Sequence, residues 1–190
     1  MAITVVFYAC WALFGAVWVA GAAVGRKQGP AVREGSGRDW TIYVALGAIV
    51  IAEVIPESIW RHVTVSGTAP EAIGAVLLLV GTIFTLWARL ALGTMWSAGV
   101  VAREEHSLRT DGPYRVTRHP IYTGLCAMLV GSALVRDLGA SAVIAVAILV
   151  ALVFKARAEE RLLLGAFPGD YERYRSHVPM FIPGLRLSRS

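Results

Sequence analysis

Residues Thr4 to Gly25 form an apolar run of 22 residues that carries no charge. At about 1.5 Å of rise per residue, a helix of that length crosses the roughly 30 Å hydrocarbon layer of a bilayer. The run is too long for a signal-peptide core, and no positive residue precedes it. An Ala-x-Ala-like stretch near Val19–Ala23 is its one resemblance to a cleavage site. It is read as a retained transmembrane helix. Composition agrees, with 56% hydrophobic residues, 16% charged residues and a mean hydropathy of +0.61, values a soluble domain of this size would not show.

Four further apolar stretches follow. Trp40 to about Trp60 contains Glu53 ahead of Pro56; Glu71 to about Leu92 follows Pro70 and carries Arg89 near its end. Pro120 to about Val135 is close to the minimum for a span, and Leu138 to about Phe154 comes after only Arg136-Asp137. So tight a connection predicts a helical hairpin. The expected fold is an all-α integral membrane protein of five transmembrane helices, a single domain over 1–190. Residues 4–92 supply the first three spans, and 93–190 the helical hairpin and the C-terminal segment.

Basic residues orient the spans. The segment Arg26–Asp39 holds four Lys/Arg, Arg89–Arg118 five, and the tail from Lys155 seven, whereas the Trp60–Pro70 loop has only Arg61 and the hairpin turn only Arg136. The alternation places the N-terminus outside and the C-terminus in the cytoplasm. The net charge of +5 is scattered through these loops, which suits a membrane surface and gives no reason to expect nucleic acid. Cys10 and Cys126 both fall in apolar runs, and His62, His106, His119 and His177 lack metal-ligand spacing. No metal site is expected.

Gly112–Gly124, "GPYRVTRHPIYTG", stands out in a chain that is otherwise mostly apolar. Asp111-Gly112-Pro113 signals a turn, and Pro120 suits the first position of the next helix, where its missing N–H costs nothing. A helix start exposes unpaired N–H groups and a positive dipole end, favourable to a carboxylate or another anion. Arg118 and His119 stand just ahead of it. The plain alternative is that Arg115 and Arg118 are positive-inside anchors and that Tyr114 and Tyr122 are interfacial aromatics.

A second group follows the fifth span, where Glu159 and Glu160 lie about a turn past the apolar run between Arg157 and Arg161. Adjacent acids on a helix point about 100° apart, so at most one is expected to face a given pocket easily. They could equally be a solvated helix end with pairs such as Lys155–Glu159. The hairpin, however, brings this end back to where Arg118-His119-Pro120 opens the fourth span. Acids, His, Arg and a helix N-terminus at one place suit a small zwitterionic or cationic molecule.

Arg118-His119-Pro120-x-Tyr122-x-Gly124, an apolar hairpin and then Glu159-Glu160 closely resemble the isoprenylcysteine carboxyl methyltransferase family, which shares this signature with membrane phospholipid N-methyltransferases. The resemblance extends upstream through Leu92-Gly93-x-x-Trp96-Ser97 and His106-x-Leu108 to Gly112-Pro113-Tyr114. Downstream it takes in Phe167, Tyr171, Tyr174 and Val178-Pro179 to Pro183. It covers roughly residues 90 to 184. Phe167-Pro168-Gly169-Asp170-Tyr171 departs from the usual Phe-Gly-x-x-Tyr, which predicts a locally different turn.

The resemblance implies S-adenosyl-L-methionine as methyl donor, bound at the cytoplasmic end of the last two spans. In that reading Glu159 or Glu160 holds its ammonium, and His119 with nearby backbone N–H groups its carboxylate. Pro120, Tyr122 and Gly124 shape the wall, while His106, Leu108 and Tyr114 line the adenosyl side. Arg157, with Arg118 second, would place a carboxylate acceptor, which needs no base at neutral pH; an amine acceptor would need one, from Glu159, Glu160 or His119. The acceptor is expected to be lipid-like or prenylated and to arrive through the bilayer. The Gly-, Ala- and Val-rich, Arg-containing composition fits a bacterial plasma membrane.

Other readings stay open: a phospholipid or other amine or thiol methyltransferase on the same scaffold, an NADPH-dependent membrane reductase, or a non-enzymatic membrane protein. Glu53 and Arg89 are expected to pair or to line a path, because unpaired charge in the membrane is costly. Gly21-x-x-x-Gly25 reads as close helix packing. The lack of Gly-x-Gly-x-x-Gly rules out a soluble Rossmann-type methyltransferase.

Overall fold

The computed structural model describes residues 2–26, 40–60, 64–65, 67–93, 108–136 and 138–184. Among these the regular elements are helical, apart from one isolated bridge between Thr64 and Leu138. The helices are α1 (Ala2–Arg26), α2 (Trp40–Val54), α3 (Glu57–Trp60), α4 (Thr68–Leu92), α5 (Pro120–Val135), α6 (Gly139–Ala166) and α7 (Asp170–His177), with a short 3₁₀ turn over Gly112–Arg115 ahead of α5.

Three of them, in α1, α4 and α6, are long and apolar enough to cross a membrane; Tyr43–Ala52 in α2 and Pro120–Val135 are shorter apolar helices. The stretch expected as one span from Trp40 to Trp60 is thus broken. Pro56 disfavours helical backbone at Ile55, so α2 stops at Val54. The indole of Trp60 turns back to donate towards the carbonyls of Ala52 and Ile55, 3.3 and 3.2 Å away, which satisfies the helix end. Helix α5, with 16 residues, is about 24 Å long.

Among the described helices the tightest contact is between α4 and α5, which run antiparallel. Gly74 and Gly81 on α4 oppose Gly131 and Gly124 on α5. A Cβ on Gly74 would lie 2.7 Å from the Gly131 carbonyl oxygen, and one on Gly81 would lie 2.6 Å from that of Gly124. Each pair is spaced seven residues apart, two helical turns, so both lie on one face. Leu78 and Met128 fill the space between the pairs and are fully buried. Lipid offers no hydrophobic drive for helices to associate, so close backbone approach through small residues is what holds such a pair together.

Helix α1 lies across this pair. Cys10, Phe7 and Phe14 pack on Leu78 and Met128, and Trp11 Nε1 donates to Ser132 Oγ over 3.0 Å. Gly21 abuts the Arg89 guanidinium, so the small residue admits a long buried side chain of α4. The Glu53 side chain, and with it the expected pairing to Arg89, lies outside the described residues.

The hairpin forms as expected. Helix α5 ends at Val135 and α6 begins at Gly139, where φ is +49°. Leu129, Ala133, Ala145 and Leu152 make the core between the two, and α2 runs along α6. The Thr64–Leu138 bridge places the middle of the α3–α4 connection at the hairpin turn. The 3₁₀ turn, the start of α5, the far end of α6 and α7 share the opposite end of the bundle, where the candidate site lies.

Candidate active site

At that end, Pro120 opens α5 and is fully buried. The two residues before it are fixed by the C-terminal segment after α7. Arg118 N–H donates to the Pro179 carbonyl over 2.9 Å and His119 N–H to that of Met180 over 3.2 Å. Thr123 Oγ1, one turn into α5, donates to Phe181 O over 2.8 Å. Below, Tyr174 of α7 donates its phenolic hydrogen to the Tyr114 carbonyl over 2.6 Å.

Both glutamates meet this start of α5. Arg118 Nε donates to Glu160 Oε1 over 2.8 Å, while its Nη1 donates to the carbonyls of Arg175 and Val178 over 3.0 and 2.6 Å. The His119 ring stands between the acids, with Nε2 3.3 Å from Glu160 Oε1 and Nδ1 3.6 Å from Glu159 Oε2. Tyr122 donates to Glu159 Oε1 over 2.5 Å and stacks on the imidazole at 5.6 Å and 5°. Sequence periodicity allowed only one acid to face a pocket; the imidazole overcomes the 100° separation because its two nitrogens point to opposite sides.

The two acids differ in access. Side-chain exposure is 24% for Glu159 but 10% for Glu160, 13% for Arg118 and 6% for His119. Burial by itself would lower the His119 pKa, yet the two carboxylates outweigh it and hold the ring above its ordinary value. The Tyr171 phenol, fully buried, is pushed up by burial and then by the negative Glu160. Burial likewise raises the phenol of Tyr174. Neither phenol ionises near neutrality.

Several expected positions lie elsewhere. Arg157 is exposed on α6, about 200° around the helix from Glu159, and does not join the cluster. Gly124 does permit close approach, but of α4: a Cβ there would collide with Thr85 Oγ1 and the Gly81 carbonyl. It backs the site rather than lining it. Of the backbone N–H groups near His119, expected to take a carboxylate, those of Arg118 and His119 are bound to the C-terminal segment. Leu108 is half-buried and Tyr114 buried against α4; His106, Trp96 and Ser97 lie outside the described residues. The altered Phe167–Tyr171 stretch turns at Gly169, φ +82°, and still delivers Tyr171 to the interior. Sequence reasoning passed over Thr123 and the carbonyls of 175–181; Thr123 sits inside the Arg-His-Pro-x-Tyr-x-Gly motif as an unspecified position, and carbonyl acceptors leave no mark in a sequence.

The model of the phospholipid methyltransferase family matches residues 70–169, just over half of the 190. The match runs from the first turn of α4 through both glutamates. The chain belongs to the phospholipid methyltransferase family. Among relatives of this family member are the cobalt-zinc-cadmium resistance protein CzcN of Cupriavidus metallidurans, 31% identical over 77% of this chain and 66% of that protein, and the nickel-cobalt-cadmium resistance protein NccN of Alcaligenes xylosoxydans xylosoxydans, 32% identical over 80% of this chain and 66% of that protein. The chain thus spans just under two thirds of the length of these two. A third, protein-S-isoprenylcysteine O-methyltransferase B of Arabidopsis thaliana, is 32% identical over 58% of this chain and 57% of its own. The family and this third relative support a membrane methyltransferase.

Proposed function

We propose that the protein transfers a methyl group from S-adenosyl-L-methionine to a lipophilic acceptor carried in the bilayer. The observation that carries the reading is Glu159, a partly exposed carboxylate held by Tyr122 beside the stacked His119 ring. A carboxylate accepts hydrogen bonds only, so this face fits the cationic end of the donor. The N–H groups of Arg118 and His119 already have partners in the C-terminal segment, so they are not donors for its carboxylate end. Glu159 would hold the ammonium and Tyr122 would fix its rotamer, with Glu160 countering Arg118 and His119 beneath. The bound donor supplies an electrophilic methyl on a sulfonium. The protein's part is to orient the reactants and to keep water out.

The reading carries five membrane crossings, with the N-terminus outside and the site facing the cytoplasm. Its support is the alternation of basic loops and the two ends of the bundle: the Thr64–Leu138 bridge at one, the Arg118–Glu160 pair at the other. In this arrangement the short α2–α3 pair and α5 are the remaining crossings.

For the acceptor, a carboxylate as in isoprenylcysteine O-methylation was the first expectation, and it needs an arginine to place it. Arg157 lies outside the cluster, and the matching family model is that of the phospholipid methyltransferases. An amine acceptor, as in phospholipid methylation, is therefore the second reading. The metal-resistance names of two relatives describe a phenotype; the described residues bring no three His, Cys, Asp or Glu together as a metal-holding group.

The test is equilibrium binding of S-adenosyl-L-methionine to detergent-purified protein, with NADPH in parallel and Glu159→Gln as control, followed by transfer of a tritiated methyl group into membranes. Saturable binding weakened by the substitution, with base-labile label for an ester or base-stable label for an N-methyl group, supports the reading and names the acceptor. NADPH binding in its place, or wild-type affinity in the Gln variant, overturns it.

A further inference from the structure

Arg118 was expected among the residues that place the acceptor. Its guanidinium, however, is engaged on two sides by the protein itself: Nε on Glu160, Nη1 on the carbonyls of Arg175 and Val178, with its own N–H on Pro179. Two more ties run beside it, His119 N–H to Met180 O and Thr123 Oγ1 to Phe181 O. The Phe181 ring lies 5.8 Å from that of His119, at 38°. Residues 175–181 thus form a strap across the face that carries His119 and Tyr122, and every tie comes from 118–123.

We infer that Arg118 is a positioning residue: its planar fork joins Glu160 of α6 to the carbonyls of Arg175 and Val178, so that the strap and the glutamates are set by one side chain. The inference deepens the methyl-transfer reading and rests on it for the consequence at the site. Arginine is required for geometric reasons. A lysine keeps the charge that Glu160 needs but is a point donor, unable to serve a carboxylate and two carbonyls in one plane.

The strap has a reporter of its own, because the Arg175 carbonyl capped by Arg118 belongs to the Arg175–Ser176 bond, a trypsin site. Detergent-purified wild type, Arg118→Lys and Thr123→Val would be digested briefly and the cut mapped by mass spectrometry. Tritiated methyl transfer from S-adenosyl-L-methionine into membranes would be measured on the same preparations. Proteolysis reports how often the segment opens. Losing one charge-assisted tie should speed this cut about tenfold in Arg118→Lys. Thr123→Val, which leaves both glutamates untouched, should speed it less. In both variants the KM for S-adenosyl-L-methionine should rise more than kcat falls.

A collapse of kcat in Arg118→Lys with the cut at the wild-type rate would make Arg118 a catalytic residue and overturn the inference. A faster cut with KM unmoved would overturn it too, by separating the strap from the site. If the wild type binds no S-adenosyl-L-methionine, the methyl-transfer reading fails, and a cut unchanged in both variants still refutes the latch.

Discussion

Tyr122 and Glu159 meet across the open end of the hairpin, phenol to carboxylate over 2.5 Å. One residue is in the first turn of α5 and the other far along α6. Nothing else in the described cluster is both charged and as open to solvent. Removing the charge in Glu159→Gln should weaken S-adenosyl-L-methionine binding about tenfold or more, the weight of a hydrogen bond to a charged group. Tyr122→Phe should weaken it less, since the carboxylate stays but loses its fixed rotamer. If the phenol acts through the carboxylate, the double variant is no worse than Glu159→Gln alone. Additive losses in isothermal titration would mean that Tyr122 touches the ligand independently.

Glu160 should behave differently although it is the next residue. It is the buried counterion of Arg118 and sits against His119. Removing one partner of such a pair leaves charge buried without compensation, at a cost of about 3 kcal/mol. Glu160→Ala should therefore lower the Tm in detergent by several degrees, with Glu159→Ala close to wild type. The reverse order would mean that the exposed acid, not the buried one, holds the two helices together at this end.

The glycine seam gives a prediction far from any ligand. Gly81→Ala and Gly124→Ala each put a methyl group within 3 Å of opposing backbone, which forces α4 and α5 apart and should cost about 1–3 kcal/mol. Gly15→Ala and Gly47→Ala meet nothing within 4 Å and should be neutral or slightly stabilising, as alanine is the better helix former. Thermal unfolding of the four variants in one detergent checks the contrast. Similar behaviour in all four would show that the seam does not hold the pair together.

The same glycines show what the sequence could and could not reveal. Apolar length was legible because a bilayer demands it, and the hairpin because two residues between apolar runs allow nothing else. The Arg118–Gly124 and Glu159–Glu160 groups were found by motif and do converge. Gly124 was assigned to a ligand because its partner, Gly81, is 43 positions away, and spacing within one helix does not reveal which neighbour a small residue admits. Arg157 was favoured as an arginine next to the acids, but helical rotation turns it away. The shared grip on His119 was hidden because it depends on the ring's two ends, not on helix periodicity.

His119 makes the last prediction, one of sign. Its neighbours from each packed element are Glu159 and Glu160 of α6, Arg118 beside it, and Tyr122 on its own helix; Tyr171, near Glu160, is shifted upward and stays neutral. The folded protein holds the imidazole pKa above its ordinary value, about 6.5 in an unfolded chain. Folding therefore favours the protonated ring. The stability this adds is fully present below that unfolded value and is lost as pH rises through the folded one. Between about pH 6.5 and the folded pKa, the Tm of the wild type should fall with rising pH. In His119→Gln, which keeps a hydrogen-bonding side chain but cannot take up the proton, that slope should flatten, and the two curves should converge at high pH. Parallel Tm curves across the whole range would show that the ring between the two glutamates carries no proton that folding depends on.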